Sequence, residues 1–186
     1  MIVTGAAHDV RALGGDDLVC VAGLPNRVSV RVDAGPGNDV VDTVAATTPV
    51  RTELGSGADT LHGGPTSDDV NTSGYISETG QQIPDTERDV VDTGAGLDRV
   101  ASNSDGAVNP DVITTGPDSD YLYVEGPLAA DGRLDGGHGW RSPRDQGSTP
   151  GHWSWTPRPA RPPSTAGTGC GGPTSAHWAS SWIGST

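Results

Sequence analysis

Lysine and phenylalanine are absent from this sequence of 186 residues, and cysteine occurs only twice, at Cys20 and Cys170. Two cysteines are too few for a disulfide framework. With no lysine and a formal net charge of -13, the chain lacks the clustered cations that bind a phosphate backbone, so we expect no nucleic-acid partner. No apolar run approaches the ~20 residues needed to cross a bilayer, and the sequence therefore predicts no transmembrane segment.

Glycine, proline and acidic residues are abundant instead. The chain contains 28 Gly, 15 Pro and 24 Asp and Glu, but only 32% of its residues are hydrophobic. A chain with so little apolar surface and so much net charge stays disordered unless its charge is neutralised. Hard cations such as Ca²⁺ are the natural partners of many carboxylates. The composition therefore indicates either disorder or a fold that depends on bound cations.

The composition changes near residue 140. Residues 1–140 hold 23 of the 24 acidic residues, whereas all five tryptophans lie at or beyond position 140. After this point the chain is rich in Pro, Gly, Ser and Thr and shows no strand or helix periodicity. We therefore predict a folded region over 1–140 and a disordered tail over 141–186, which we interpret as a non-native extension.

Internal repeats occupy the first region. The recurring unit is Gly-x-Gly-x-Asp followed by a short aliphatic segment, as in AGPGNDVVD (34–42), LGSGADTLH (54–62) and TGAGLDRVA (93–101). Eight copies can be aligned on the aspartates at positions 9, 17, 39, 59, 68, 89, 98 and 120. Two residues after the aspartate, seven of the eight copies have Val or Leu, and the first has Arg11. Each loop is therefore expected to precede a short strand with one inward aliphatic side chain.

This pattern resembles the nonapeptide G-G-x-G-x-D-x-U-x of the repeats-in-toxin family, the hemolysin-type calcium-binding repeat, over about residues 4–139. The resemblance implies an all-β fold, a right-handed parallel β-roll or β-helix, and the spacing here gives about 20 residues per turn. It also implies Ca²⁺ as cofactor and a secreted, extracellular bacterial protein, although no signal sequence is visible at the N-terminus. A covalently linked toxin, hydrolase or adhesin domain is expected in a longer parent protein.

Calcium chemistry explains why these residue types recur. The ion takes about 6–8 oxygens from carboxylates and backbone carbonyls, and glycine lets a loop adopt the positive φ angles that turn its carbonyls inward. The predicted metal-binding residues are Asp17, Gly35, Gly37, Asp39, Gly55, Gly57, Asp59, Asp68, Asp89, Gly94, Gly96, Asp98, Gly116, Asp118 and Asp120. The best sites are expected between the loops at 35–39 and 55–59, and between those at 94–98 and 116–120.

Two arrangements of the loops fit the spacing. The preferred one is a roll with two edges, because one of its edges stays rich in glycine. That edge is predicted to carry Asp17, Asp39, Asp59, a loop near Glu78, Asp98 and Asp120. The other, expected to bind weakly, is predicted to carry Asp9, Asp68, Asp89, Asp111 and Asp131. The alternative is a three-sided coil with about thirty residues per turn, since Asp9, Asp39, Asp68 and Asp98 are spaced at nearly that interval.

These observations favour a calcium-binding structural module whose folding is coupled to Ca²⁺. No nucleophile–base set is visible, so we expect no enzymatic activity. One alternative is a fragment of a β-helical extracellular hydrolase acting on polysaccharides, which needs paired acidic residues pointing outward from strands. Asp33, Asp42 and Asp92 follow strand segments but form no recognisable pair. The other alternative is a degenerate β-helix that no longer binds metal.

Overall fold

The computed structural model describes residues 2–3, 7–23, 29–77, 79–103 and 107–137, and this part of the chain is all-β. The predicted tail, 141–186, lies outside these ranges. None of the described segments forms a helix long and apolar enough to cross a membrane.

Two parallel sheets make up the fold. Sheet A consists of β1 (Ile2–Val3), β3 (Leu18–Ala22), β5 (Val40–Ala45), β7 (Thr60–His62), β11 (Val90–Asp92), β13 (Val112–Thr114) and β15 (Arg133–Asp135). Sheet B consists of β2 (Asp9–Arg11), β4 (Val30–Pro36), β6 (Val50–Ser56), β8 (Asp68–Asn71), β12 (Arg99–Asn103) and β14 (Tyr121–Glu125). Successive strands alternate between the two sheets, so the chain coils as a β-solenoid and the predicted parallel β-roll is confirmed.

A small hairpin interrupts the coil. Its strands, β9 (Tyr75–Ile76) and β10 (Gln82–Ile83), pair antiparallel with each other between β8 and β11. In sheet A, Leu18 lies opposite Val40 and Val40 opposite Thr60, which corresponds to turns of 22 and 20 residues. Thr60 then lies opposite Val90, a step of 30 residues that contains the hairpin. The two-edged roll is therefore the correct arrangement, and the three-sided coil is wrong.

Aliphatic side chains fill the space between the sheets, one from nearly every strand. In sheet A the inward row is Val19, Val41, Leu61, Val91 and Ile113, and in sheet B it is Val10, Val32, Thr52, Val70, Val100 and Leu122. All seven aliphatic positions predicted from the repeat are in these rows and are buried. Each such side chain contributes about 1.5–3 kcal/mol through burial, so this ladder is the hydrophobic core.

The alignment of the first repeat copy, on Asp9 with Arg11 at the aliphatic position, is one residue out of register. Asp9 and Arg11 are both exposed, whereas Val10 between them is buried. Neighbouring side chains on a strand point to opposite faces, so Asp9 lies on the outer face of sheet B. Its carboxylate does not belong with the aspartates of the other copies.

The assignment of aspartates to edges is also corrected. We define the first edge as the loops that lead from sheet B to sheet A, and the second edge as the loops that lead back. The aspartates that begin first-edge strands are Asp17, Asp39, Asp59, Asp89 and Asp111, and the second edge carries Asp68, Asp98 and Asp120.

The hairpin explains this error. The predicted register counted Glu78 and Asp89 as two successive loops on opposite edges, but both lie within the single connection between β8 and β11. Every aspartate after the hairpin therefore exchanges edges, and Asp131, in the loop before β15, also lies on the first edge.

Candidate functional site

The candidate site is formed by aspartates that point into the roll at its edges. Each precedes a buried aliphatic residue by two positions, and side chains two apart on a strand share a face. Asp39, Asp59, Asp89, Asp98 and Asp120 are at most 2% exposed. Buried carboxylates are rare unless they are paired or bind metal, so their partners decide what these loops can do.

On the first edge the aspartates form a continuous ladder of hydrogen bonds. The backbone N–H of Asp17 donates to Asp39 Oδ1 at 2.7 Å, and that of Asp39 donates to Asp59 Oδ1 at 2.7 Å. The next rungs run from Asp59 to Asp89 at 2.9 Å and from Asp89 to Asp111 at 3.1 Å. One carboxylate oxygen of each aspartate from Asp39 onward thus ties its turn to the preceding turn.

The second edge has a shorter ladder of the same kind. The N–H of Asp68 donates to Asp98 Oδ1 at 2.8 Å, and the N–H of Asp98 donates to Asp120 Oδ1 at 3.0 Å. The predicted site residues Asp68, Asp98 and Asp120 are therefore in contact with one another. They lie apart from the ladder that holds Asp39 and Asp59.

The remaining oxygen, Oδ2, distinguishes two kinds of aspartate. In Asp39, Asp59, Asp89 and Asp120 this atom is buried and has no hydrogen-bond partner in the described part of the chain. In Asp98 it accepts a hydrogen bond from Thr93 Oγ1 at 2.6 Å. An unpaired buried acceptor costs about 1–3 kcal/mol, and more if it is charged. The first kind therefore calls for a partner that the described residues do not supply.

Asp111 and Asp68 belong with the paired kind. Asp111 Oδ2 accepts hydrogen bonds from Thr72 Oγ1 at 2.9 Å and Ser102 Oγ at 2.7 Å. Asp68 has a longer contact, 3.4 Å from both of its oxygens to Thr43 Oγ1. Asp111 did not appear among the predicted site residues because no Gly-x-Gly-x-Asp unit precedes it; the Asp-x-aliphatic spacing to Ile113 is the signal that could have identified it.

Burial raises the pKa of several of these carboxyl groups. It raises the pKa of Asp59 and Asp68 to about 7, with the charges of Asp39 and Asp98 respectively adding to the effect. For Asp89, burial and then the charge of Asp111 raise the pKa to about 10. Burial also raises the pKa of Asp39 and Asp98. In the absence of a cation, these groups oppose ionisation at neutral pH.

The predicted glycines have the backbone conformation expected of them. All seven have positive φ: Gly35, Gly37, Gly55, Gly57, Gly94, Gly96 and Gly116. At Gly57, where φ is 124°, a Cβ would lie only 2.0 Å from the carbonyl oxygen of Gly37 in the neighbouring turn. The loops at 35–39 and 55–59 therefore stack in direct backbone contact, as predicted.

The second predicted pair of loops is also adjacent. A Cβ at Gly116 would lie 1.7 Å from the Gly94 carbonyl oxygen. Asp118 is exposed, and its Oδ2 accepts the Gly96 N–H at 3.1 Å, so it joins the same two loops from outside.

Asp85 is a component of the first edge that the sequence analysis missed. It lies in the hairpin connection, is buried, and accepts the N–H of Gly57 at 3.2 Å through Oδ1. One turn earlier, the equivalent donor, the N–H of Gly37, bonds to the carbonyl oxygen of Ser56. A carboxylate thus replaces a backbone carbonyl where the glycine-rich loops end. Burial, followed by a hydrogen bond to Glu87, raises the pKa of Asp85 to about 7.

The geometry limits how a metal ion could be held. Across the described ranges, no group of three or more His, Cys, Asp or Glu side chains is placed to hold a metal ion. A cation at the first edge would therefore need one or two carboxylates together with backbone carbonyls. Ca²⁺ accepts such a mixed oxygen set, and the unpaired Oδ2 atoms of Asp39 and Asp59 fit it.

The three acidic residues considered for the hydrolase alternative do not belong to either aspartate ladder. Asp33 is on the outer face of sheet B, whereas Asp42 and Asp92 lie on either side of His62 in the register of sheet A. Asp42 is only 7% exposed, and its Oδ1 accepts the N–H of Val44 at 3.0 Å. Neighbouring strands place Asp42, His62 and Asp92 side by side on sheet A.

Comparison with protein-family models, curated proteins and solved structures finds no match to this chain.

Proposed function

We propose that the roll is a calcium-binding structural module rather than an enzyme. The observation that carries this proposal is the set of buried, unpaired Oδ2 atoms of Asp39, Asp59 and Asp89 on one continuous ladder. Desolvated carboxylates without partners are strongly destabilising, and a divalent cation is the partner that neutralises more than one of them at a time.

Asp39 and Asp59 would provide the carboxylates of such a site. Their loops stack closely, with the Gly37 carbonyl oxygen directed at Gly57, so backbone oxygens of the two loops complete the donor set. Bound Ca²⁺ supplies positive charge in a place where the chain has only acceptors. The resemblance to the repeats-in-toxin nonapeptide supports the same assignment.

Metal binding and folding are coupled in this proposal. The ladder brings acidic side chains together only when the turns are stacked, so the donor set does not exist in the unfolded chain. The affinity of extracellular calcium modules is about 10⁻⁴–10⁻³ M. A chain of this kind stays unfolded where Ca²⁺ is scarce and folds where it is abundant. This behaviour suits a module of a secreted bacterial protein joined to a toxin, hydrolase or adhesin domain.

The test is calorimetric titration of the full chain with Ca²⁺ at pH 7.5, with Mg²⁺ in a parallel titration. Asp39→Asn/Asp59→Asn keeps Oδ1 as an acceptor for the ladder but removes both charges. We therefore expect Ca²⁺ affinity to fall at least roughly tenfold, which corresponds to the loss of one hydrogen bond to a charged group. The matched control, Asp33→Asn/Asp69→Asn, removes two charges from the outer face of sheet B. Equal loss in both variants, or no binding by the natural chain, would contradict the proposal.

A further inference from the structure

Threonine hydroxyl groups lie close in sequence to aspartates of the second edge, at a position where the aspartates of the first edge have no hydroxyl side chain. At the second edge, Thr93 Oγ1 donates to Asp98 Oδ2 at 2.6 Å, and both side chains are at most 2% exposed. A short hydrogen bond to a carboxylate is among the stronger ones in proteins. The oxygen that would bind a cation is thus already satisfied within the chain.

A simple rule in the sequence accompanies this difference. On the second edge, the residue five positions before the aspartate is threonine in the two turns that follow the hairpin, Thr93 for Asp98 and Thr115 for Asp120, whereas Gly63 stands at this offset from Asp68. On the first edge, the residues at the same offset from Asp39, Asp59 and Asp89 are Ala34, Leu54 and Pro84. None of these three side chains can donate a hydrogen bond, so the Oδ2 atoms on that edge have no local donor.

Asp120 and Thr115 have the same spacing but do not make the bond. Asp120 Oδ2 and Thr115 Oγ1 are both buried without a partner. This turn therefore retains one unpaired acceptor, Asp120 Oδ2, and one unpaired donor, Thr115 Oγ1, which are chemically able to bond to each other. Among the described residues of the first-edge ladder, the unpaired buried atoms are the acceptors of Asp39, Asp59 and Asp89, and the unpaired Thr52 hydroxyl lies in the middle of β6.

We propose that the two edges of the roll have different partners. The first edge binds the cation, and the second edge is closed at Asp98 by the Thr93–Asp98 hydrogen bond and takes none there, although the loop at 94–98 has the same Gly-x-Gly-x-Asp unit as the loops of the first edge. The first half of this statement rests on the proposed calcium function. The second half does not, because the Thr93–Asp98 bond needs no metal. A threonine that bonds to the aspartate from this offset then separates a metal-free turn from the metal-binding turns.

Ca²⁺ bound per chain, measured by equilibrium dialysis of the full chain at pH 7.5, tests the assignment. Asp39→Asn is expected to lower the number of bound ions, and Asp98→Asn to leave it unchanged. Thr93→Ala uncovers the Asp98 carboxylate and is expected to raise it. An equal loss from Asp98→Asn, or an unchanged number in Thr93→Ala, would overturn the inference.

A second measurement separates this inference from the calcium proposal. If the natural chain binds no Ca²⁺, the proposed function fails, and the Thr–Asp bond is then tested alone by urea unfolding at pH 5 without metal. Thr93→Ala should lower the folding equilibrium constant roughly tenfold, the cost of losing a buried hydrogen bond, whereas Thr93→Ser, which keeps the hydroxyl, should restore most of it. Equal stability of the two variants would refute the hydrogen-bonded closure of the second edge.

Discussion

At the scale of single residues, each aspartate of the roll has two oxygens with separate tasks. Oδ1 accepts a backbone N–H from the preceding turn throughout both ladders, which is a structural role that an asparagine could also fill. Oδ2 differs from one aspartate to the next, being unpaired in Asp59 and bonded to a hydroxyl in Asp98. In the proposed calcium site, metal binding therefore depends on one atom per residue, and Asp→Asn substitution isolates its contribution.

Gly57 offers a direct test of the close stacking between loops. Gly57→Ala places a Cβ 2.0 Å from the Gly37 carbonyl oxygen on a backbone with φ of 124°, so we expect a loss of more than about 1 kcal/mol in the free energy of unfolding. Urea denaturation in saturating Ca²⁺ measures it. Gly23→Ala is the control because no atom lies within 4 Å of its Cβ position, and the change expected there is below about 0.5 kcal/mol.

Proton linkage gives a prediction about pH. Burial raises the pKa of Asp59 and Asp68 to about 7 and that of Asp89 to about 10. Groups whose pKa is raised by folding stabilise the folded state fully below their unfolded pKa, and this contribution is lost as pH rises through the folded pKa. Without metal, the roll should therefore be more stable at pH 5 than at pH 8, with the decline from Asp59 and Asp68 spread over about pH 4 to 7.

The folded fraction in a chelator, followed by far-UV circular dichroism from pH 5 to pH 8, measures this dependence. Asp59→Asn/Asp89→Asn should flatten the curve, because the amide does not titrate. A metal-free stability that increases from pH 5 to pH 8 would contradict the burial of uncompensated carboxyl groups. With Ca²⁺ present the trend should reverse, since metal binding requires the ionised groups and releases their protons.

At the scale of strands and loops, the repeat pattern made the core predictable. A short strand with a single inward aliphatic side chain follows from the Asp-x-Val/Leu spacing, and Val19, Val41 and Leu61 occupy successive rungs of sheet A. The glycine positions were predictable for the same reason, because glycine adopts the positive φ angles of these loops at the lowest cost.

The order of the edges was not predictable from the spacing. The connection between β8 and β11 contains an aspartate at the expected interval, Asp89, and residues whose spacing imitates another repeat. Only the antiparallel pairing of β9 with β10 shows that this stretch is an insertion within one turn. Hydroxyl partners such as Thr93 escaped prediction because they lie just before the Gly-x-Gly-x-Asp unit on which the repeat copies were aligned.

Leu61 tests the contribution of the aliphatic ladder. Leu61→Ala removes a side chain that is 1% exposed and lies between Val41 and Val91, and it should lower the free energy of unfolding by about 2–5 kcal/mol. Thermal or urea denaturation in saturating Ca²⁺ measures this loss. Leu97→Ala serves as the control, because Leu97 is 67% exposed and its truncation should cost less than about 0.5 kcal/mol. Similar losses in both variants would show that the ladder is not the core.

At the scale of the whole molecule, a narrow hydrophobic core must offset the repulsion of a large net negative charge. The interior holds mainly one aliphatic side chain per strand, and the formal net charge is -13. Ion pairs on the outer face, such as that between Arg31 and Glu53 at 3.0 Å, contribute little because they are exposed. Neutralisation of the buried ladder is therefore an adjustable contribution to stability, which protons can supply and which a divalent cation supplies in the proposed function.

Far-UV circular dichroism of the full chain, titrated with Ca²⁺ at pH 7.5 and with Mg²⁺ as control, tests the central claim most directly. The account predicts a coil spectrum in chelator that changes to a β spectrum as Ca²⁺ rises, with the transition weakened in Asp39→Asn/Asp59→Asn. A β spectrum already complete in chelator at this pH, and unchanged by Ca²⁺, would contradict it and would mean that the aliphatic ladder alone holds the roll together.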